Sequence, residues 1–476
     1  MSGSLLKNFL KFSYGSLIGL FLGLATTMLT TRLFPPEAFG KVTMFELLLK
    51  VGMIITIFGA DQAFVRFFYE EDSQKRGALL YKTLRIPLFC TLLLTLVIIT
   101  WFEPITFFLV EEPSIKVAVW LVIGIIAQLL FRYTQLVIRM QQKGNLYSLI
   151  QILQKVFNLS FILIFFYAMG NKFEVLILSK IITIMLLVIV GIYIGKNFWK
   201  LNNIRDKETK HSQMEIFKFG APFVLTIFIS WLFESFDKIA LRQWSDFEEL
   251  GLYAAAMRLV ALIMVVRQTF STFWTPVAYE KFEKAPEDRL FFRQITIIIS
   301  FILFLLAIVS ISIKDVLVSL LGSEYENASS IMPFLVFMPI FYTISETTVI
   351  GINFYKKTKM HILIAVIACS FNILGNWVLV PKFGALGASI STAFSFIIFF
   401  TIRTQLSQRY YKVNYPTIKI YIMTLIVSCY ALYSVFITNF WWNIVVGIIP
   451  TFLLITIFFK DIYNILKNKT KIISKI

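Results

Sequence analysis

Histidine is nearly missing from this chain of 476 residues: only His211 and His361 occur, both near the ends of apolar runs. That supply assembles neither a histidine-based metal centre nor a Ser-His-Asp triad. Cysteine is almost as scarce, and Cys90, Cys369 and Cys429 all lie inside apolar runs, so no disulfide framework is expected. No Gly-x-x-x-x-Gly-Lys-Ser/Thr loop occurs, and the chain is expected to bind no nucleotide and to need no cofactor. Acids are few, 27 Asp and Glu against 45 Lys and Arg, for a formal charge of +18. The excess does not point to nucleic acid, because the basic residues lie between apolar runs. Long outer loops are absent as well, which leaves little room for the catalytic domain of a membrane enzyme.

What is present is apolar. Hydrophobic residues make up 58% of the chain and charged ones 15%, with a mean hydropathy of +0.79. An all-α polytopic membrane protein follows, since a spanning chain must satisfy its backbone within helices. About twenty residues cross a ~30 Å hydrocarbon layer at ~1.5 Å per residue. On that measure the pattern predicts about fourteen transmembrane helices. The first six cover roughly residues 13–32, 43–64, 86–103, 117–138, 147–168 and 174–195. The next six cover 219–240, 252–276, 294–313, 331–350, 361–380 and 385–402, and two more follow at 418–437 and 441–459. The first span is longer than a signal h-region and is expected to be retained. With the N-terminus cytoplasmic, the inner segments hold several times as many Lys and Arg as the outer loops. Both termini are therefore expected to be cytoplasmic.

The spacing also suggests an internal repeat. A Lys-Phe pair enters an apolar helix at Lys11-Phe12 and again at Lys218-Phe219. Phe157-Asn158 and Phe371-Asn372 are each followed, thirteen residues after the Phe, by Gly170 and Gly384. Six spans per copy is an even number, so the copies would share one orientation about a pseudo-twofold axis along the membrane normal. The expected organisation is an N-terminal six-helix lobe (1–195), a cytoplasmic linker (196–218), a C-terminal six-helix lobe (219–405), and two additional helices with a basic tail (406–476). The linker and the tail read as solvated segments attracted to anionic headgroups.

Charge at membrane depth is the remaining signal, because each central charge costs ~2.5–3.5 kcal/mol even on a lenient scale. Some of it has a local reading. Glu46 and Lys50 are four residues apart and can neutralise each other. Asp61 and Arg66 flank the inner end of the second span, and Arg132 lies near enough to the cytoplasm to snorkel. The rest calls for a polar interior. Gln151, Lys155 and Asn158 follow i, i+4, i+7 and form one polar face, with Asn372 the repeat counterpart of Asn158. Arg32, Lys155, Arg258, Lys180 and Arg267 are candidate cargo cations, since a cationic cavity suits a phosphate or diphosphate. Packing against a neighbouring helix is the alternative for each, and Arg267 lies nine residues beyond Arg258 on the opposite helix face. Glu234, Asp237 and Glu346 are the candidate ion-coupling acids, and Glu234 or Asp237 could instead pair with Arg258.

Four short stretches stand out: Thr31-Arg32-Leu33-Phe34-Pro35-Pro36-Glu37-Ala38-Phe39-Gly40, Gly59-Ala60-Asp61-Gln62-Ala63-Phe64-Val65-Arg66, Asp237-Lys238 with Gly251-Leu252-Tyr253-Ala254, and Pro381-Lys382-Phe383-Gly384-Ala385-Leu386-Gly387. Together they resemble polysaccharide flippases of the Wzx type, in the multidrug/oligosaccharidyl-lipid/polysaccharide exporter superfamily. The resemblance implies twelve core helices in two lobes plus two more. It also implies transfer of undecaprenyl-diphosphate-linked saccharide between leaflets of the bacterial cytoplasmic membrane by alternating access, coupled to a proton or sodium gradient. Arg32 would match a functional first-helix Arg of the related lipid II flippases, although Pro35-Pro36 departs from their Gly-rich turn.

The expected activity is thus transport rather than catalysis. Lipid bilayer, lipid-linked saccharide and a coupling ion are its partners, with polysaccharide assembly proteins as further candidates. A drug or cation antiporter on the same fold, and a membrane glycosyltransferase or polymerase, stay open as alternatives.

Overall fold

A computed structural model describes residues 2–200, 202–205, 209–437 and 439–467. Part of the expected linker, 206–208, and the end of the basic tail, 468–476, lie outside the described residues. Two compact units emerge, Met1–Ser235 and Phe236–Ile476. Their division falls inside the helix that opens the expected second lobe.

The first unit begins with α1 (Ser2–Leu33), which the Pro35-Pro36 pair stops. Pro36 then occupies the first position of α2 (Pro36–Ile57), where its missing N–H is no loss. The second span is not straight. Phe58 and Gly59 both take left-handed backbone conformations (φ 44° and 70°), and α3 (Ala60–Phe67) leaves at 55° to α2. The break is held from outside: a Cβ on Gly59 would stand 2.2 Å from the carbonyl oxygen of Gly220, and Phe58 stacks on Phe217 at 5.4 Å. Next come α4 (Arg76–Thr100), α5 (Phe102–Val110), α6 (Ile115–Met140) capped by Ser114, α7 (Gly144–Met169) and α8 (Phe173–Ile194). A short α9 (Asn202–Arg205) follows. Helices α1 and α7 lie in close contact, for a Cβ on Gly15 would meet Ser148 Cα at 2.5 Å. The linker docks on the unit, because the Lys210 N–H donates to Glu71 and its ammonium meets Asp72 at 2.9 Å. That exposed ammonium holds the Asp72 carboxyl below its ordinary value.

Helix α10 (Gln213–Trp244) leads into the second unit. There α11 (Phe247–Lys284) starts from an Asp246 cap and runs eight residues past the expected end of its span. It is followed by α12 (Arg289–Ser312), α13 (Lys314–Ser319) and a 3-10 turn at Ser323–Tyr325. One expected span, 331–350, is built from α14 (Ala328–Leu335) and α15 (Phe337–Thr348), and α16 (Ile350–Phe354) leads into α17. Helix α17 (Lys359–Tyr410) holds 52 residues, about 78 Å if straight at ~1.5 Å per residue. It is an antiparallel hairpin. Gly384 breaks it at φ 52°, ψ −131°, a conformation shared in kind with Gly170 at the end of α7 (φ 78°, ψ −156°). Glu249 accepts the Ala385 N–H at 2.7 Å and fills the space a Cβ on Gly384 would need. α18 (Thr417–Val435) and α19 (Phe440–Lys467) complete the chain.

Every predicted span falls on helix. Among the described residues eleven helices are long and apolar enough to cross a membrane, the bent α2–α3 pair makes another, and α17 supplies two crossings. The apolar part of α1, Ile18–Leu33, accounts for the first. Large apolar side chains stand outward, Tyr167 at 95% and Phe436 at 77% exposure, as a lipid-facing surface requires.

Candidate functional site

In the second unit one carboxylate is singled out by its surroundings. Asp237, on α10, is 4% exposed. Its Oδ1 accepts from the side-chain amides of Asn372 (3.0 Å) and Asn376 (2.8 Å), and its Oδ2 from the hydroxyls of Tyr253 (2.7 Å) and Thr392 (2.7 Å). Four helical segments converge here, because α17 doubles back at Gly384 and brings 372–376 against 391–392. Ser391 ties the two arms by donating to the Asn372 carbonyl at 3.0 Å. Asn372 and Asn376 are i, i+4 and so share a helix face. All four partners are neutral, and no Lys, Arg or His lies within ion-pairing distance of Asp237 among the described residues.

This arrangement can hold a monovalent cation or a proton. A carboxylate out of water needs a compensating positive charge or protonation. The Asn376 Oδ1 is buried and without a hydrogen-bond partner. Turning either amide about its terminal bond exchanges donor nitrogen for acceptor oxygen at the same place. Carboxylate, amide and hydroxyl oxygens are hard donors suited to an alkali or alkaline-earth ion. No group of three His, Cys, Asp or Glu stands together among the described residues, so a multi-carboxylate divalent cage is not built here.

The other acid of this unit is differently placed. Glu346 is ion-paired with Arg403 at 2.8 Å, and Arg403 also donates to the Ser345 hydroxyl at 2.6 Å. Arg267 lies over the ring of Tyr342, 3.3 Å from its centroid, with Arg403 on the same ring at 5.4 Å. Arg258 is half-buried and near enough to Tyr325 to act on its phenol electrostatically. It is not the ion-pair partner of Asp237, whose oxygens are taken by the four neutral donors.

In the first unit Arg32 ends α1, exposed, and makes no hydrogen bond or ion pair among the described residues. Lys155 is exposed on α7, its stem 4.0 Å from where a Cβ on Gly19 would be. Gln151 and Asn158 beside it are half-buried. Glu234 is exposed. One local reading needs correcting. Glu46 pairs with Lys180 on α8 at 2.5 Å rather than with Lys50, which points outward. Asp61 is buried within the unit, and Arg132 meets it at 2.8 Å. In both cases helix rotation turns the acid toward another helix, where a cation relieves its desolvation. Arg66 meanwhile pairs with Glu70.

Sequence reading passed over Asn376, Tyr253, Thr392 and Arg403. The i, i+4 pair Asn372/Asn376 was the available signal, since two amides on one face of an apolar helix are costly without partners.

Residues 5–282 match the family described as polysaccharide biosynthesis protein. An uncharacterized membrane protein of Methanocaldococcus jannaschii is 23% identical over 248 residues, 51% of this chain and 49% of that protein, so the chain matches about half the length of this curated relative. Among solved structures, the lipid II flippase MurJ in an inward closed conformation superposes with a TM-score of 0.69. That alignment covers 96% of this chain and 99% of MurJ at 17% identity. An inward-facing multidrug resistance MATE family transporter of the MOP superfamily gives 0.58 over 83% and 94% at 15% identity. A mutant of the Vibrio cholerae MATE transporter VcmN gives 0.54 over 86% and 97% at 18% identity. At such identities the likeness is one of fold.

Proposed function

Because this chain belongs to the polysaccharide biosynthesis protein family, we propose that it is a flippase carrying undecaprenyl-diphosphate-linked saccharide across the bacterial cytoplasmic membrane. Alternating access is driven by a proton or sodium gradient, and both termini are cytoplasmic. The observation that carries the reading is the Asp237 carboxylate, buried among Asn372, Asn376, Thr392 and Tyr253 with neutral donors alone. A permanent ion pair would lock such an acid in one charge state. Neutral donors leave it free to take and release a small cation, and so to make the energy of the unit depend on a gradient.

Cargo recognition falls to the cations. Arg32 and Lys155 stand exposed on α1 and α7, where guanidinium and ammonium can replace part of the water a diphosphate loses. Arg258 is a third member. Lys180 and Arg267 engage Glu46 and Tyr342, so they contribute to cargo binding only if those contacts open. The same holds for Glu346 as a coupling acid, given its pair with Arg403.

Purified protein in proteoliposomes tests the proposal with a fluorescent polyprenyl-diphosphate saccharide. Transport is expected to need no ATP, to slow when the ion gradient is dissipated, and to become gradient-insensitive in Asp237→Asn at normal protein abundance. Equal gradient dependence in Asp237→Asn would overturn the coupling role. The MATE matches favour one further reading, a drug or cation antiporter on this fold. Uptake of cationic dyes with no saccharide-lipid transfer in the same vesicles would decide for it.

A further inference from the structure

The second unit also carries a cationic pocket that neither cargo nor coupling ion accounts for. The ends of α11, α12, α16 and α17 meet in a buried aromatic cluster around Phe292 and Tyr411. Tyr411 donates to the Pro286 carbonyl at 2.5 Å, and Phe282 stacks on Phe354 at 4.0 Å, which fixes the floor. Above it opens a cavity of about 260 Å³, lined among others by Arg289, Arg409, Lys412, Tyr355 and Tyr410. That volume sits just below the ~300 Å³ at which small-molecule sites begin.

Three cations meet one acid in this lining, Glu287. Its contact to Arg289 is 3.5 Å between strongly exposed groups, so it neutralises little. The side chains of Arg409 and Lys412 make no hydrogen bond or ion pair among the described residues. The phenols of Tyr355 and Tyr410 likewise lack a hydrogen-bond partner among them, while their rings stack on each other at 6.4 Å. Two tyrosines stacked on each other thus share one lining with three cationic side chains.

We propose that this pocket binds a multiply charged phosphate group, gripped by Arg409, Lys412 and Arg289 and oriented by the Tyr355 and Tyr410 hydroxyls. Guanidinium supplies a planar fork for phosphate oxygens and lysine a point charge. The phosphate can belong to a soluble phosphoester or to the headgroup of an anionic lipid. The inference does not rest on the flippase reading, and binding alone tests it.

Full-length protein in phosphatidylcholine nanodiscs is titrated with inorganic pyrophosphate by calorimetry. A parallel sample, solubilised from bilayers containing phosphatidic acid, is examined by native mass spectrometry for retained lipid. Saturable pyrophosphate binding that rising salt weakens identifies a soluble source. Retention of phosphatidic acid without pyrophosphate binding identifies a lipid headgroup. In either case Arg409→Gln with Lys412→Gln is expected to weaken binding roughly tenfold or more, and Tyr355→Phe with Tyr410→Phe by a smaller factor. All four side chains border an open pocket, and an unchanged thermal midpoint verifies that the variants fold. Binding of neither probe, or equal binding by wild type and the Arg409/Lys412 variant, overturns the proposal.

Discussion

At the scale of single residues, the acids inside the helical units divide by what neutralises them. Glu46, Asp61 and Glu346 each have a cationic partner on another helix, whereas Asp237 has four neutral donors. The distinction makes opposite predictions. Arg403 is 5% exposed, so Arg403→Ala leaves the half-buried Glu346 without its cation. We expect a loss of roughly 3–5 kcal/mol, read as falling abundance and thermal midpoint in detergent. Glu346→Gln added to Arg403→Ala should restore most of that loss. Asp237→Asn keeps the shape of its site and removes only the charge, so stability should change by less than about 1.5 kcal/mol while gradient dependence disappears. A large loss of folded protein in Asp237→Asn would place that carboxylate with the structural acids instead.

Elements are shaped here by glycine at two breaks. The α2–α3 bend needs Gly59, because a side chain there would run into the Gly220 backbone, which has no rotamer with which to yield. The α17 hairpin needs Gly384, whose φ of 52° is strained for any L side chain and whose missing Cβ makes room for the Glu249 carboxylate. Gly59→Ala and Gly384→Ala are each expected to cost about 1–3 kcal/mol. Their consequences differ. Gly384→Ala should also disturb the Asp237 site, since Thr392 reaches it only if the second arm of α17 folds back in register. Sodium-dependent stabilisation, measured by thermal unfolding across ion concentrations, should then fall in Gly384→Ala but persist in Gly59→Ala.

For the whole molecule, the basic bias of the loops sets the proposed orientation. Asn202 and Glu112 are both exposed and lie on opposite sides of the expected membrane. On a background without Cys90, Cys369 and Cys429, Asn202→Cys should react with an impermeant thiol reagent only after cells are opened, and Glu112→Cys in intact cells. Reaction of Asn202→Cys from outside would invert the orientation and every depth that follows from it.

The chain by itself determined the class, the number of spans and roughly where each lies. Those depend on local hydropathy, on proline and on capping, each acting over one or two turns. It also marked the pieces of the Asp237 site, for Asp237-Lys238, Gly251–Ala254 and the 381–387 turn are among the stretches that carried the family resemblance. What the sequence left undecided is which of these residues touch. Neighbouring positions on a helix are rotated by about 100°, so Glu46 can face Lys50 along its own helix or Lys180 on another, and only packing selects between them. The neutral shell of Asp237 is a tertiary product for the same reason. Asn372 and Thr392 lie more than a hundred residues from Asp237 in the chain and reach it because Gly384 folds α17 back upon itself, at a turn where Glu249 of a different helix accepts the Ala385 N–H.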